Sequence, residues 1–306
     1  QQFSEGGASF TYVGAPSVAS VWPARGASEG GTPVTVHGAN LAGASEELGY
    51  LQCRFNSTVV RAELAGGEAV VCNSTEGAAG VVSVEVTQNE QQYTSDGVSF
   101  EYEHVAAHSI SPNAGPTLGG TLVEVRGATI AVPDARGLFC QFGVADAVTA
   151  THSSRELVLC VAPPAPAGER FIHLTLNGVD WYDTFHSFSH DAPVTLDSLW
   201  PEMAADFGGT AVSVYGSGFR DTIHLACVVD SQRVPAEFIS ESSIVCQMPA
   251  RRTGLAQVRV TANGKDVSES SLFVLYIPQP KISAVWPTRG LGTGLIPLFV
   301  VGRNFI

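Results

Sequence analysis

Short stretches of alternating apolar and polar residues recur along this chain and predict β-strands. The clearest examples are Val34-Thr35-Val36, Val123-Glu124-Val125 and Val212-Ser213-Val214. Because successive side chains of a strand point to opposite faces, each stretch has one face for a core and one for water. No stretch keeps a helical period over three turns, so the sequence predicts an all-β protein.

These strands belong to a sequence unit that occurs four times. Its copies align on four prolines at intervals of 89, 89 and 86 residues, namely Pro23, Pro112, Pro201 and Pro287. A double glycine follows in the first three copies, at Gly30-Gly31, Gly119-Gly120 and Gly208-Gly209. Two adjacent glycines suit a turn with positive φ or a close approach of two backbones. About seven short strands in about 88 residues predict a two-sheet antiparallel sandwich for each copy.

The repeat sets the predicted domain boundaries. Three complete sandwiches are expected, with the end of a preceding unit before them and the start of a fourth after them, at residues 1–15, 16–104, 105–192, 193–278 and 279–306. Ser9-Phe10-Thr11-Tyr12 matches the closing strand of such a preceding unit. The linkers are short and contain Pro193, Pro278 and Pro280, which predicts a stiff, rod-like array.

Six cysteines fall as one pair in each complete unit. The pairs are Cys53/Cys72, Cys140/Cys160 and Cys227/Cys246, with separations of 19, 20 and 19 residues. The repeated spacing predicts a disulfide inside each unit, and a loop of that size contributes about 3 kcal/mol by restricting the unfolded chain. Two alternatives are zinc, which is disfavoured because no CxxC spacing occurs, and buried free thiols. Disulfides imply an oxidising, extracellular setting.

Charge and hydropathy narrow the set of partners. The formal net charge is −13, and the chain has only two lysines, Lys265 and Lys281. A nucleic-acid binder needs a basic face, so DNA and RNA partners are excluded. No apolar run approaches the ~20 residues of a membrane helix, so no membrane insertion is expected within this segment.

The last two strands of each unit are joined by a turn of distinctive composition. It contains Asn177-Gly178 in the second copy and Asn263-Gly264 in the third, which is a strong β-hairpin signal, while the first copy has Asn89-Glu90, a weaker version. Together, the proline, the Gly-Gly-Thr turn, the Val-x-Val strand and the Asn-Gly turn resemble the IPT/TIG domain family. The resemblance covers the three complete units and the final fragment. Two departures occur, Leu295-Ile296 in place of Gly-Thr and Ala204 in place of a glycine.

The resemblance implies immunoglobulin-like sandwiches in an extracellular or cell-surface protein. Tandem copies with internal cysteine pairs are similar to plexin-type and fibrocystin-like ectodomain arrays. Such arrays imply protein partners or self-assembly and no cofactor. The DNA-binding members of the family use basic loops, which this chain lacks.

Two glycosylation sequons occur, Asn56-Ser57-Thr58 and Asn73-Ser74-Thr75. Both asparagines have outward parity on their predicted strands, so Asn56 and Asn73 are candidate glycan sites if the host is a eukaryote.

Several aromatic residues are candidate ligand contacts. Tryptophan precedes the repeat proline at Trp22, Trp200 and Trp286. These rings fit either a stacking platform for a sugar or partner, or packing against the end of the preceding unit, and the second interpretation is favoured. Trp181-Tyr182 follow the Asn177-Gly178 turn and are either binding anchors or a cover over the sheet edge.

No catalytic constellation or metal site is predicted. His186 and His190 lie four positions apart, which is about 13 Å along a strand and too far for one ion. HExxH and phosphate-binding glycine loops are absent. The sequence therefore favours a non-enzymatic segment that spaces, adheres or assembles through protein–protein contacts. The alternatives are a carbohydrate-binding array and an accessory region of a larger secreted enzyme.

Overall fold

The structure is a computed structural model that describes residues 12–41, 49–128, 130, 137–290, 292 and 294–305. These ranges contain 27 β-strands and no α-helix, so the predicted all-β class is confirmed. Within the same ranges, no helix is long and apolar enough to cross a membrane. The closing strand predicted at Ser9-Phe10-Thr11 lies outside the described residues.

The strands follow the repeat. The first copy contains β1 (Ser17–Trp22), β2 (Arg25–Ala27), β3 (Pro33–Ala39), β4 (Gln52–Phe55), β5 (Thr58–Leu64), β6 (Ala69–Asn73), β7 (Gly80–Thr87) and β8 (Ser99–Glu103). The second contains β9 (Ala106–Ser111), β10 (Ala114–Pro116), β11 (Leu122–Ala128), β12 (Phe139–Phe142), β13 (Val148–Thr149), β14 (Thr151–Ser154), β15 (Leu157–Val161), β16 (Gly168–Thr175) and β17 (Tyr182–Asp191). The third contains β18 (Thr195–Trp200), β19 (Met203–Ala205), β20 (Ala211–Ser217), β21 (Ala226–Val229), β22 (Gln232–Ser240), β23 (Ser243–Gln247), β24 (Gly254–Thr261) and β25 (Leu272–Ile277). The final fragment contains β26 (Lys281–Trp286) and β27 (Phe299–Arg303).

The chain divides into two compact units. The first unit comprises Gln1–Ile110, Glu124–Cys160 and Phe171–His186. The second unit comprises Ser111–Val123, Val161–Arg170 and Ser187–Ile306. The first repeat therefore lies in the first unit, the third repeat lies in the second unit, and the middle repeat contributes segments to both.

In the first unit, the first repeat is a sandwich whose two layers share one strand. The strand order is β1-β3-β6-β5-β4-β7-β8-β2. The first half of β5 pairs with β4, as in Gln52↔Arg61, and its second half pairs with β6, as in Ala62↔Cys72. A strand that changes sheets in this way forms a corner of the sandwich.

The core of the first repeat consists of the residues that alternate inward. Val34 and Val36 of β3 are fully buried. The Phe100 ring lies edge-on to Phe55 and to Tyr102, with centroids 5.5 and 5.1 Å away. Burial of each large apolar side chain contributes about 1.5–3 kcal/mol, so β3 and β8 each stabilise the repeat.

Each cysteine pair forms a disulfide within its own repeat. Cys53 on β4 is bonded to Cys72 on β6, with Cα atoms 6.3 Å apart. Cys140 on β12 is bonded to Cys160 on β15, and Cys227 on β21 to Cys246 on β23. All six cysteines are buried. Each bond therefore crosses the interior of its repeat.

The double glycine meets both needs that the sequence suggests. Gly30 and Gly31 have φ values of 79° and 86°. A Cβ on Gly30 would also lie 2.5 Å from the backbone nitrogen of Glu76. Both the left-handed backbone and the close chain contact therefore require glycine at position 30.

The strands of the middle repeat pair within each of the two units. In the first unit, β12 pairs antiparallel with β13 and β16, and β14 pairs with β15. In the second unit, β10 runs parallel to the end of β17, with Ala114 opposite Ser189.

In the second unit, the third repeat reproduces the first repeat strand for strand. Its order is β18-β20-β23-β22-β21-β24-β25-β19, and Val212 and Val214 take the buried places of Val34 and Val36. β26 and β27 form a separate two-stranded antiparallel sheet, in which Trp286 lies 5.9 Å from Phe299.

Candidate functional site

A loop of the middle repeat is hydrogen-bonded to the turn of the first repeat, within the first unit. Asn177 Nδ2 donates to the backbone carbonyl of Arg25 at 3.0 Å. Asp180 Oδ2 accepts from the Thr32 hydroxyl at 2.8 Å and from Asn177 Nδ2 at 2.8 Å. The backbone nitrogen of Ala27 lies 3.4 Å from the same oxygen. This arrangement of Asn, Asp and Thr is called the clasp below.

The same clasp occurs within the second unit, between the third repeat and the turn of the middle repeat. Asn263 Nδ2 donates to the Ala114 carbonyl at 2.8 Å. Asp266 Oδ2 accepts from the Thr121 hydroxyl at 2.6 Å and from Asn263 Nδ2 at 2.7 Å. Two junctions therefore use the same three residue types at the same spacing.

The side-chain oxygen of the asparagine accepts hydrogen bonds from its own loop, and its side-chain nitrogen donates to the neighbouring repeat. Asn177 Oδ1 accepts from the backbone nitrogens of Val179 and Asp180, at 2.9 and 2.8 Å. This is an Asx turn, in which the side chain satisfies the backbone that follows it. The Gly178 nitrogen donates to Thr175 Oγ1 at 2.9 Å, and its φ of 76° requires glycine. Asn177 Nδ2 is then positioned to reach the other repeat.

The Asn263-Gly264 pair lies in a hairpin, as its composition indicates, because β24 and β25 pair antiparallel. β24 ends at Thr261 and β25 begins at Leu272, so a ten-residue connection separates them. The outermost paired residues are Val258 and Leu272. The connection is longer than a two-residue turn because the asparagine is bonded to its own loop and to another repeat.

A glycine also lies next to the threonine of each clasp, and this glycine and threonine are together called the Gly-and-Thr seat. A Cβ on Gly26 would overlap Oγ1 of Thr32, and a Cβ on Gly115 would overlap Oγ1 of Thr121. The threonine hydroxyl can therefore take its clasp position only where this residue is glycine.

The third and fourth copies lack this combination. Ala204 stands at the glycine position of the third copy, where Thr210 is half-buried and its Oγ1 accepts from Ala205 N at 3.0 Å. Ile296 stands at the threonine position of the fourth copy. The Gly-and-Thr seat thus belongs to the first two copies.

The first junction is also rich in carboxylates. Glu103 is buried, and its Oε1 lies 2.5 Å from Arg25 Nη1. Burial raises the pKa of Glu103, and the Arg25 guanidinium opposes that shift. Burial also raises the pKa of the Tyr182 phenol, and the negative charges of Asp180, Glu103 and Glu29 act in the same direction. Tyr182 is therefore half-buried in an acidic junction.

The tryptophans before the repeat prolines are exposed. Trp22, Trp200 and Trp286 have exposed fractions of 59%, 70% and 65%. The exposure of Trp200 speaks against the favoured interpretation, packing against the preceding unit. For Trp22 that interpretation stays a prediction, since residues 1–11 of the preceding unit lie outside the described residues. Trp181 is partly exposed beside the first clasp, and Tyr182 begins β17.

Phe185 is a surface residue that the sequence reasoning missed. It is 82% exposed and has a φ of 57°, which is unusual for a large side chain. Asp183 Oδ1 accepts from the Phe185 backbone nitrogen at 2.7 Å, and the Thr184 hydroxyl donates to the Ile172 carbonyl at 2.6 Å. These bonds hold an apolar ring out in water. The Asp-Thr-Phe sequence carries no signal for that conformation.

The remaining candidate residues are separated. Asn56 lies in the exposed turn between β4 and β5, and Asn73 is exposed at the end of β6. His190 is buried, with Nε2 3.0 Å from the carbonyl of Pro163. Among the described residues, no group of three His, Cys, Asp or Glu side chains is placed to hold a metal ion.

The chain is similar in sequence to parts of several larger proteins. Human Plexin-A3 is 26% identical over 287 residues, which are 82% of this chain and 14% of that protein. Human Fibrocystin-L is 25% identical over 304 residues, which are 96% of this chain and 7% of that protein. The solved structure of the plexin A4 full extracellular region covers 96% of this chain, with 17% identity, a TM-score of 0.47 and 28% of its own chain covered. The chain thus spans a small part of each relative.

The sequence profile of the IPT/TIG domain matches three segments, residues 16–102, 107–189 and 193–276. Together they are most of the chain. With one disulfide in every matched segment, the setting is extracellular. The protein belongs to the IPT/TIG domain family.

Proposed function

We propose that this chain is a non-enzymatic extracellular spacer and protein-interaction segment, whose successive repeats are held by the clasp. The repetition of the clasp at two junctions is the observation that carries the proposal. The proposed domains are three sandwiches at 16–104, 105–192 and 193–278, with unit fragments at 1–15 and 279–306. A spacer needs its modules in a fixed succession, and a charge-assisted hydrogen bond between them serves that need.

Protein contact is the proposed mode of action on the surface. Phe185 on β17 and Phe171 on β16 are exposed apolar side chains. Large apolar groups held out in water often mark interaction sites. We propose that a partner protein covers the Phe185 ring.

Distance measurements between spin labels test the clasp. Labels attached to unnatural amino acids avoid the cysteines, with one pair at Val59 and Val144 in the first unit. The Val59–Val144 distance distribution is measured in three proteins, the parent chain, Asp180→Ala and Asp266→Ala, and the three are compared. The expected result is a narrow distribution in the parent and a broad one in Asp180→Ala only, because Asp266→Ala is the matched change at the other junction. A broad distribution in the parent chain contradicts the proposal.

A carbohydrate-binding array is the second candidate, and the exposed tryptophans favour it. Trp22 and Trp200 occupy the same repeat position and present most of their rings to solvent. Aromatic faces of this kind stack on sugar rings. A glycan array with Trp22→Ala and Trp200→Ala distinguishes the candidates, since selective sugar binding that both changes remove supports the array.

A further inference from the structure

The junction of the middle and third repeats contains a cavity of about 810 Å³ within the second unit. Its walls come from the turn after Pro112, the linker after β17 and the loop after β24, and include Leu118, Asp191 and Ser268. Ligand pockets are usually about 300–1,000 Å³. The cavity is therefore large enough for a side chain together with its flanking peptide.

The cavity is lined by the positions that surround Tyr182 in the first unit. Glu103 and Asp191 occupy the same register, opposite Ala27 and Pro116 respectively. The Asp180 position corresponds to Asp266, the Glu29 position to Leu118, and the Tyr182 position to Ser268. All three second-unit counterparts line the cavity. The junction in the first unit thus contains the Tyr182 phenol, and the equivalent position in the second unit, Ser268, has no phenol.

The serine at this position is small and is hydrogen-bonded within its own repeat. Ser268 Oγ donates to the Ser270 carbonyl at 2.8 Å and accepts from the Val260 nitrogen at 3.1 Å. Its side chain is thereby bound to its own repeat and is buried. The space that a tyrosine would occupy stays open.

The chemistry of the walls matches a phenol. Leu118, which is exposed, and Val267 offer apolar surface for a ring. Asp191 and Asp266 offer carboxylate oxygens, which accept strong hydrogen bonds from a hydroxyl. Asp191 also pairs with Arg220, and this ion pair fixes one side of the cavity.

We propose that this cavity binds a tyrosine side chain of a partner protein, with its ring against Leu118 and Val267 and its hydroxyl on Asp191 or Asp266. Tyr182 is the internal example of the ligand in the equivalent junction. The clasp at Asp266 is complete from residues of this chain alone, so failure of tyrosine binding leaves the spacer proposal standing.

The test uses the full ¹⁵N-labelled chain and N-acetyl-L-tyrosinamide as the probe. Saturable shifts are expected at the amides of Leu118, Asp191 and Ser268. The phenylalanine analogue lacks the hydroxyl and is expected to bind at least about fivefold more weakly, which corresponds to one hydrogen bond.

Two variants close the cavity and one opens its counterpart. Ser268→Tyr introduces a phenol at the position that Tyr182 occupies in the first unit. Val267→Trp fills the same space and leaves the buried Ser268 unchanged. Both are expected to weaken probe binding at least tenfold, while Ser242→Tyr on the exposed β22–β23 turn leaves it unchanged. Tyr182→Ser is expected to add a second set of saturable shifts at Glu29 and Glu103.

The outcomes separate cleanly. Binding that both cavity-filling variants remove supports the proposal. Shifts that do not saturate, or that persist in folded Ser268→Tyr and Val267→Trp proteins, overturn it. Absence of new shifts in Tyr182→Ser overturns the equivalence of the two junctions, and the choice of tyrosine with it.

Discussion

The hydroxyl of Thr32 donates a hydrogen bond of 2.8 Å to Oδ2 of Asp180, although 148 positions separate the two residues. Thr32 is fully buried by this contact, while its counterpart in the third copy, Thr210, is only half-buried. In the first repeat, the threonine hydroxyl thus donates to an aspartate of another repeat. Among the described residues, Thr210 of the third copy shows no equivalent hydrogen bond.

A double-mutant cycle on this pair measures the strength of the clasp. Thr32→Val and Asp180→Ala are each expected to reduce protection of the Asp180 amide against hydrogen exchange. Thr32→Val removes one donor to the Asp180 carboxylate, and Asp180→Ala removes the acceptor of the Thr32 hydroxyl. A hydrogen bond to a charged group contributes about 1.5–3 kcal/mol, and coupled residues show an interaction energy of about 0.5–3 kcal/mol. Thr210→Val is the control and is expected to leave Asp180 unchanged. Additive effects of the two substitutions would show that the residues do not interact.

Gly26→Ala is expected to open the first clasp without touching it directly. The new methyl group would overlap Oγ1 of Thr32 and lie 2.8 Å from Cζ of Phe100, so the threonine must turn away. The expected cost is about 1–3 kcal/mol from overpacking, together with a broadened Val59–Val144 distance. Adding Thr32→Ala should recover part of the stability but not the narrow distance. A Gly26→Ala protein with parental stability and a narrow distance would refute this role of the glycine.

The disulfides are expected to be essential to each small sandwich. Mass spectrometry of an unreduced digest should find Cys53–Cys72, Cys140–Cys160 and Cys227–Cys246 and no link between repeats. Replacing both Cys227 and Cys246 with alanine should destabilise the third repeat by about 3 kcal/mol, since the closed loop restricts the unfolded chain. The first repeat should keep its own unfolding transition. Any peptide joining cysteines of different repeats would contradict the pairing.

The fold was predictable from the sequence because period-two alternation acts locally. Val34 and Val36 are buried as their pattern requires, and the paired glycines adopt the positive φ that glycine tolerates best. The clasp was not predictable, because its two halves are far apart in the chain and Asn-Gly carries a hairpin signal of its own. A repeated signal was nevertheless present, since aspartate follows the asparagine by three positions at both Asp180 and Asp266.

Glycan attachment is expected to favour Asn56 over Asn73. Asn56 and both following residues of its sequon are exposed in a turn between two strands. Ser74, in the other sequon, is buried, and its nitrogen donates to the Thr32 carbonyl at 2.8 Å. In a eukaryotic secretory host, Asn56→Gln should remove the larger share of the mass that deglycosylation releases. A greater loss in Asn73→Gln would reverse this ranking.

His190 should make the second unit sensitive to mild acid. Its ring is buried, and burial lowers its pKa from the ordinary value of 6.5; Arg170 adds to that shift, while the Pro163 carbonyl and Asp191 oppose it. The folded state therefore holds this proton less tightly than the unfolded chain. Its contribution to stability is complete above pH 6.5 and is lost as the pH falls from 6.5 through the lowered value.

The matched variant is His190→Tyr, because tyrosine occupies the same position in the other two repeats, at Tyr102 and Tyr276. Denaturant unfolding between about pH 5 and pH 7.5 should show the parent losing stability toward acid more steeply than the variant, since tyrosine takes up no proton in this range. The difference should appear in the transition of the second unit. Parallel pH profiles for the two proteins would mean that His190 titrates alike in the folded and unfolded states, and the buried imidazole would then have no part in acid sensitivity.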